Sequence, residues 1–173
     1  MGIWIDAVLK PKETFATEAP HGTIMKGAVN LGLVGLILGV IFAVLIILGG
    51  VLNGDLISSA FTAILIIILF PMLLIISELI STAVPFVIAK LLGGSGSYSS
   101  LFYLISIYTP IILIISMIPL AGMVAGLYSI YLFYLALKES QKLSSKKAII
   151  IVLFPLLLIA IIMVLAFVTL LAI

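Results

Sequence analysis

Residues 56–92 read LISSAFTAILIIILFPMLLIISELISTAVPFVIAKLL, and the number of times this stretch crosses a membrane decides the fold. It holds 37 residues, which as a helix would run about 55 Å at ~1.5 Å per residue. The hydrocarbon core of a bilayer is only ~30 Å thick and is spanned by ~20 apolar residues. The stretch is therefore long for one span and short for two.

Four further apolar stretches surround it, at residues 27–52, 101–118, 120–137 and 148–173. The chain as a whole is 65% hydrophobic and 8% charged, with a mean hydropathy of +1.56. Soluble domains run nearer ~45–50% apolar and ~25% charged, so lipid must be the solvent for most of this one. There is no cysteine, which excludes disulfides and thiolate metal sites. The net charge of +2 is too small to suggest nucleic-acid binding. No secretory leader is legible in residues 1–26. An arginine-free chain rich in isoleucine and lysine fits an AT-rich prokaryotic genome.

Lysine placement settles the count of spans. With five spans and the N-terminus inside, Lys10, Lys12, Lys26, Lys90, Lys138, Lys142, Lys146 and Lys147 all fall inside, and Asp55 stands alone in the first outer loop. Splitting residues 56–92 in two, or fusing the third and fourth stretches, would strand the last four lysines outside. The positive-inside rule opposes both changes. The long stretch therefore crosses once, with Pro71 and Pro85 able to kink it and Ser81–Leu92 expected at the cytoplasmic interface. Gly93–Ser100 turns the chain back, and Pro119–Gly122 is expected to form an outer hairpin.

The fold expected is an all-α, polytopic bundle of five transmembrane helices over residues 27–173, with its C-terminus outside. A cytoplasmic segment, residues 1–26, precedes it. There Ile3, Trp4, Ala7 and Val8 recur at helical spacing, and Trp4 favours the headgroup level. This predicts a short interfacial helix ended by Pro11. Thr14, Phe15, His21 and Gly22 read as connecting loop.

Several landmarks, taken in order, resemble the YIP family, the Ypt/Rab-interacting membrane proteins, and especially its short prokaryotic members. Val8-Leu9-Lys10-Pro11-Lys12-Glu13-Thr14-Phe15 is similar to the family's entry motif. Leu91-Leu92-Gly93-Gly94-Ser95-Gly96-Ser97-Tyr98 is similar to its glycine-rich turn. Tyr108-Thr109-Pro110 and Ile118-Pro119-Leu120-Ala121-Gly122 match its proline–glycine hairpin, and Tyr128–Leu137, Lys138-Glu139 and Ser144–Ala148 match the passage between its last two spans. The resemblance implies five spans and a cytoplasmic N-terminus, in agreement with the lysine count. Eukaryotic relatives contact Rab-type GTPases through a long N-terminal region. Only 26 residues precede the first span here, which argues against a GTPase partner.

Glu78 is the residue most able to carry chemistry. An ionisable group at membrane depth costs ~2.5–3.5 kcal/mol on insertion scales and marks a functional site by default. Ser81 and Thr82 share its helix face at i+3 and i+4. The bland reading is that Glu78 already lies at the interface. Tyr128, Tyr131, Tyr134 and Lys138 form a stripe on the fourth span, with Tyr103 and Tyr108 able to face it from the third. They are the expected partners of Glu78 in a polar-lined site for a lipid headgroup or small ligand; the alternative is an ordinary aromatic belt. Gly35-x-x-x-Gly39 and Gly122-x-x-x-Gly126 predict close helix packing between the first and fourth spans, or a homo-oligomer face.

Catalysis has little to work with. There is no arginine or cysteine, the single histidine is His21, and the serines have no evident base. No enzyme activity, metal or cofactor is expected. The leading reading is a non-catalytic membrane protein that organises or shapes the bilayer or recruits partners. The competing one is a small transporter, channel or lipid-binding bundle that uses Glu78 and a tyrosine-lined face. The lipid bilayer is the expected partner, and nucleic acid is not.

Overall fold

The computed structural model describes residues 2–171, without the side chains of most positions after 155. All regular structure among them is helical. The elements are α1 (Ile3–Leu9), α2 (Pro11–Glu18), a single 3-10 turn (Ala19–His21), α3 (Ile24–Asn53), α4 (Leu56–Leu91), α5 (Tyr98–Ser116), α6 (Pro119–Gln141) and α7 (Ser145–Leu171). Among the described residues, α3, α4, α5 and α6 are long and apolar enough to cross a membrane. Of the fifth expected stretch, residues 148–171 lie within α7, one helix of 27 residues, and the last two positions lie outside the described residues. The molecule is an all-α, multi-pass membrane bundle.

Helix boundaries follow local chemistry. The Thr23 side chain accepts the Lys26 N–H at 3.2 Å and caps α3. The Ser97 hydroxyl does the same for α5 through the Ser100 N–H at 3.1 Å. Pro11 and Pro119 occupy first-turn positions of α2 and α6, where no intrahelical donor is missed. α4 continues as one helix of 36 residues through Pro71 and Pro85, as a single crossing requires.

Two loop expectations need correction. The link between α5 and α6, expected as a hairpin over Pro119–Gly122, is Met117–Ile118, because Pro119 already starts α6 and Gly122 lies in its first turn. Thr14 and Phe15 belong to α2 rather than to a loop, and Phe15 is completely buried. A proline that stops one helix serves equally well to begin the next, which is how Pro11 acts here.

The glycine faces also pair differently from expectation. A Cβ at Gly35 would stand 2.6 Å from the Cα of Pro71, and one at Gly39 would touch Ile66 and Ile67 at 3.4 Å. The small face of α3 thus seats α4, its neighbour across a two-residue turn, and not α6. Phe42 and Phe70 close the same seam edge to face at 5.4 Å. Gly122 faces Ser116 of its own hairpin, and Gly126 has open space.

α5 is the axis of the molecule. Every residue from Ser100 to Tyr108 is buried, between α1, α3, α4, α6 and the 3-10 turn. Helices in lipid gain no hydrophobic free energy from meeting one another; packing and interhelical hydrogen bonds must hold them. The N-terminal segment supplies several such bonds. The Trp4 indole N–H donates to Asn30 Oδ1 at 3.2 Å, and the Asn30 amide N–H donates to Ser106 Oγ at 3.3 Å. The Tyr103 hydroxyl donates to Glu18 at 2.7 Å, the Ser100 hydroxyl to the Ala19 carbonyl at 2.7 Å, and the Tyr128 hydroxyl to the Val8 carbonyl at 2.7 Å. With Ala7 and Phe15 fully buried, α1 and α2 are docked parts of the bundle.

The loop between α4 and α5 locks onto the link between α6 and α7. Ser95 N–H donates to the Gln141 carbonyl at 3.0 Å, the Gln141 side-chain amide donates to the Ser97 carbonyl at 3.0 Å, and Lys147 Nζ donates to the Leu92 carbonyl at 2.7 Å. A Cβ at Gly96 would collide with the Ser140 carbonyl, so only glycine lets these two backbones meet.

Candidate functional site

Glu78, Ser81 and Thr82 do share one face of α4, and that face borders a cavity of about 260 Å³. Val84, Pro85 and Ile88 continue the wall from α4, Ile105 and Tyr108 come from α5, Phe133 from α6, and Ile151, Phe154 and Pro155 from α7. Four helices therefore frame it. The Ser81 hydroxyl donates to the Glu78 carbonyl at 3.2 Å and approaches the carboxyl Oε1 at 3.5 Å. Thr82 is 1% exposed, and its Oγ1 has no hydrogen-bond partner. The Tyr98 hydroxyl donates to the Leu79 carbonyl at 2.5 Å, beside Glu78 and outside the cavity lining.

Two prolines sit in the wall inside helices, Pro85 in α4 and Pro155 in α7. A helical proline has no N–H for the carbonyl four residues earlier. Those carbonyls belong to Ser81 and Ile151, both of which also line the cavity. The cavity is thus apolar overall, with Glu78, Ser81 and Thr82 as its polar side chains, and among the described residues no lysine or histidine lines it.

The expected tyrosine partners are elsewhere. Tyr128 bonds to Val8 at the N-terminal segment. Tyr131 and Tyr134 stack with 6.5 Å between ring centres and border an open groove between α6 and α7. Lys138 lies a further turn along that stripe and is not among the cavity residues. The stripe is real as helical geometry, but it faces α2 and α7 and not Glu78. The aromatic partners at the cavity are Tyr108 and Phe133, and Tyr103 is engaged by Glu18. Tyr108 is 6% exposed and packs against Phe15 with ring centres 6.0 Å apart.

Sequence reasoning passed over Asn30, Ser106 and Gln141. A lone asparagine inside the first apolar stretch was the available signal, since an amide in hydrocarbon needs a partner. Gln141 stands between Lys138-Glu139 and Lys142 and reads as solvated, yet it is fully buried, and its Oε1 has no partner. Among the described residues no cluster of histidine and carboxylate side chains could hold a metal.

A family model described as the Yip1 domain matches residues 5–167. No curated protein and no solved structure matches.

Proposed function

We propose, from the premise that the chain belongs to the Yip1 domain family, that this multi-pass membrane protein is non-catalytic and organises anionic lipid around its basic end. One observation carries the reading: the lysine-bearing ends are joined into one built surface. The N-terminal segment is hydrogen-bonded to α3, α5 and α6, and the loop before α5 is hydrogen-bonded to the link after α6. All eight lysines of the chain lie in these segments or at the helix ends beside them.

These charges are free to act on lipid. Every lysine except the half-buried Lys138 is exposed. Among the described residues none is in an ion pair; Lys26 and Lys147 donate to backbone carbonyls, and Lys26 and Lys90 lie over the rings of Tyr103 and Phe86. A lysine near an anionic leaflet contributes ~1 kcal/mol of attraction, falling off within a Debye length. Several on one surface are enough to enrich anionic headgroups locally. The same asymmetry supports a cytoplasmic position for this end.

Trp4 is the single tryptophan and sits in the segment with Lys10 and Lys12. It can serve as an energy-transfer donor to dansyl-labelled lipids in reconstituted vesicles. Transfer to an anionic labelled lipid should exceed transfer to a zwitterionic one, and the excess should vanish in high salt. Equal transfer to both lipids at low salt would contradict the proposal.

A further inference from the structure

We propose that the Glu78 cavity holds the primary-ammonium head of a membrane lipid taken from the leaflet on the lysine side. The polar groups at this cavity have no full answer inside the protein. A carboxyl group faces an apolar cavity with no lysine in its lining, and its one side-chain contact is the Ser81 hydroxyl at 3.5 Å. Beside it, Thr82 Oγ1 is buried without a partner. A buried unpaired polar group costs ~1–3 kcal/mol, more when charged. The carbonyl of Ser81, which also lines the cavity, adds an acceptor that Pro85 leaves without its usual helical donor.

Acceptors dominate this inventory, so the missing group is a donor with positive charge. A primary ammonium carries three N–H donors and no acceptor. It could meet the Glu78 carboxylate, Thr82 Oγ1 and a freed carbonyl together. The rings of Tyr108, Phe133 and Phe154 also line the cavity, and aromatic faces attract cations. An anionic head would meet Glu78 with like charge. A quaternary ammonium could use the rings but would leave Thr82 unbonded.

The route is lateral, from lipid. Val84 and Phe154 border the cavity and are 57% and 40% exposed, so its mouth lies on an outer face of the bundle. The depth is set by α2. Phe15 of α2 touches Tyr108 of the cavity wall, and α2 exposes Lys12, Glu13 and Thr17. A helix with that surface cannot lie in hydrocarbon, where one lysine alone costs ~2.5–3.5 kcal/mol. Through Phe15 the cavity wall at Tyr108 is in contact with this polar helix, the side from which a lipid head would approach. A volume of about 260 Å³ falls below the ~300–1,000 Å³ of whole-ligand pockets. It suits a head and its first carbons, with the acyl chains left in the bilayer.

The test is native mass spectrometry of the full chain released, after a high-salt wash that screens the exposed lysines, from vesicles containing phosphatidylethanolamine, phosphatidylcholine and phosphatidylglycerol in equal amounts. The wild type should retain one phosphatidylethanolamine in preference to the other two. Glu78→Gln should reduce that retention about tenfold, the scale for a hydrogen bond to a charged group. Thr82→Val, which keeps the shape, should reduce it several-fold, and Glu139→Gln should leave it unchanged. Equal retention of the three lipids, or undiminished retention by Glu78→Gln, would overturn the proposal. Should Glu78→Gln fail to fold, undiminished retention by Thr82→Val would overturn it.

Discussion

The ring of Phe15 lies 6.0 Å from the ring of Tyr108, centre to centre and tilted by 40°. One residue belongs to a short polar helix ahead of the first span, and the other to the most buried helix of the bundle. Their contact fastens the N-terminal segment to the core through a side chain that is completely enclosed. Phe15→Ala should therefore destabilise this docking by about 3 kcal/mol, the low end for truncating a buried phenylalanine. Limited trypsin digestion after Lys12, the lysine of this segment that is not followed by proline, reads the change: cleavage should become much faster than in the wild type. Unchanged cleavage would mean that the segment is held without this anchor.

Asn30 links the same segment to α5 by standing between Trp4 and Ser106. Interhelical hydrogen bonds in membranes average ~0.6 kcal/mol and reach ~1.7. Asn30→Leu should lower thermal stability in detergent by a few degrees. Trp4→Phe, which keeps an aromatic ring but removes the donor, should do less. The double variant should be less destabilised than the sum, because both changes remove the same bond; additive losses would deny the coupling.

Gly96→Ala should be severely destabilising, since the added methyl group meets the Ser140 carbonyl. Gly126→Ala should be neutral or slightly stabilising, as its site is open and alanine is the better helix former. Thermal unfolding of the two variants side by side separates them. Similar melting temperatures would rule out the interlock between the α4–α5 loop and the end of α6.

Gly35→Leu should likewise lower stability far more than Gly126→Leu. The first must push Pro71 away and open the α3–α4 seam, whereas the second projects into open space. An equal loss from both would restore a role for the α6 glycines in packing.

Much of this architecture was legible in the residues. Hydropathy marked the apolar stretches, and the lysine asymmetry showed that residues 56–92 form one segment, as α4 does. Trp4 and its neighbours gave α1 by periodicity. Pairing was less legible, because a Gly-x-x-x-Gly face states that a helix comes close without naming the partner. Chain connectivity brought α4 to Gly35 first. The tyrosine stripe failed for a related reason: helical spacing fixes which side chains share a face, but not the direction of that face. Glu78, Ser81 and Thr82 held together because they lie within one helical turn, while Tyr108 reached the cavity through the burial of α5, which its sequence does not announce.

On the proposed topology all eight lysines lie on one side of the membrane, at the end built by the docked N-terminal segment. The chain has no cysteine, so single cysteines introduced at Lys12, Asn53, Met117 and Lys142, all in exposed positions, can be labelled with a membrane-impermeant maleimide in intact cells. The account predicts labelling of Asn53→Cys and Met117→Cys from outside, with Lys12→Cys and Lys142→Cys labelled only after the membrane is opened. Labelling of Lys142→Cys in intact cells, with Lys12→Cys protected, would place lysines on both sides and contradict it.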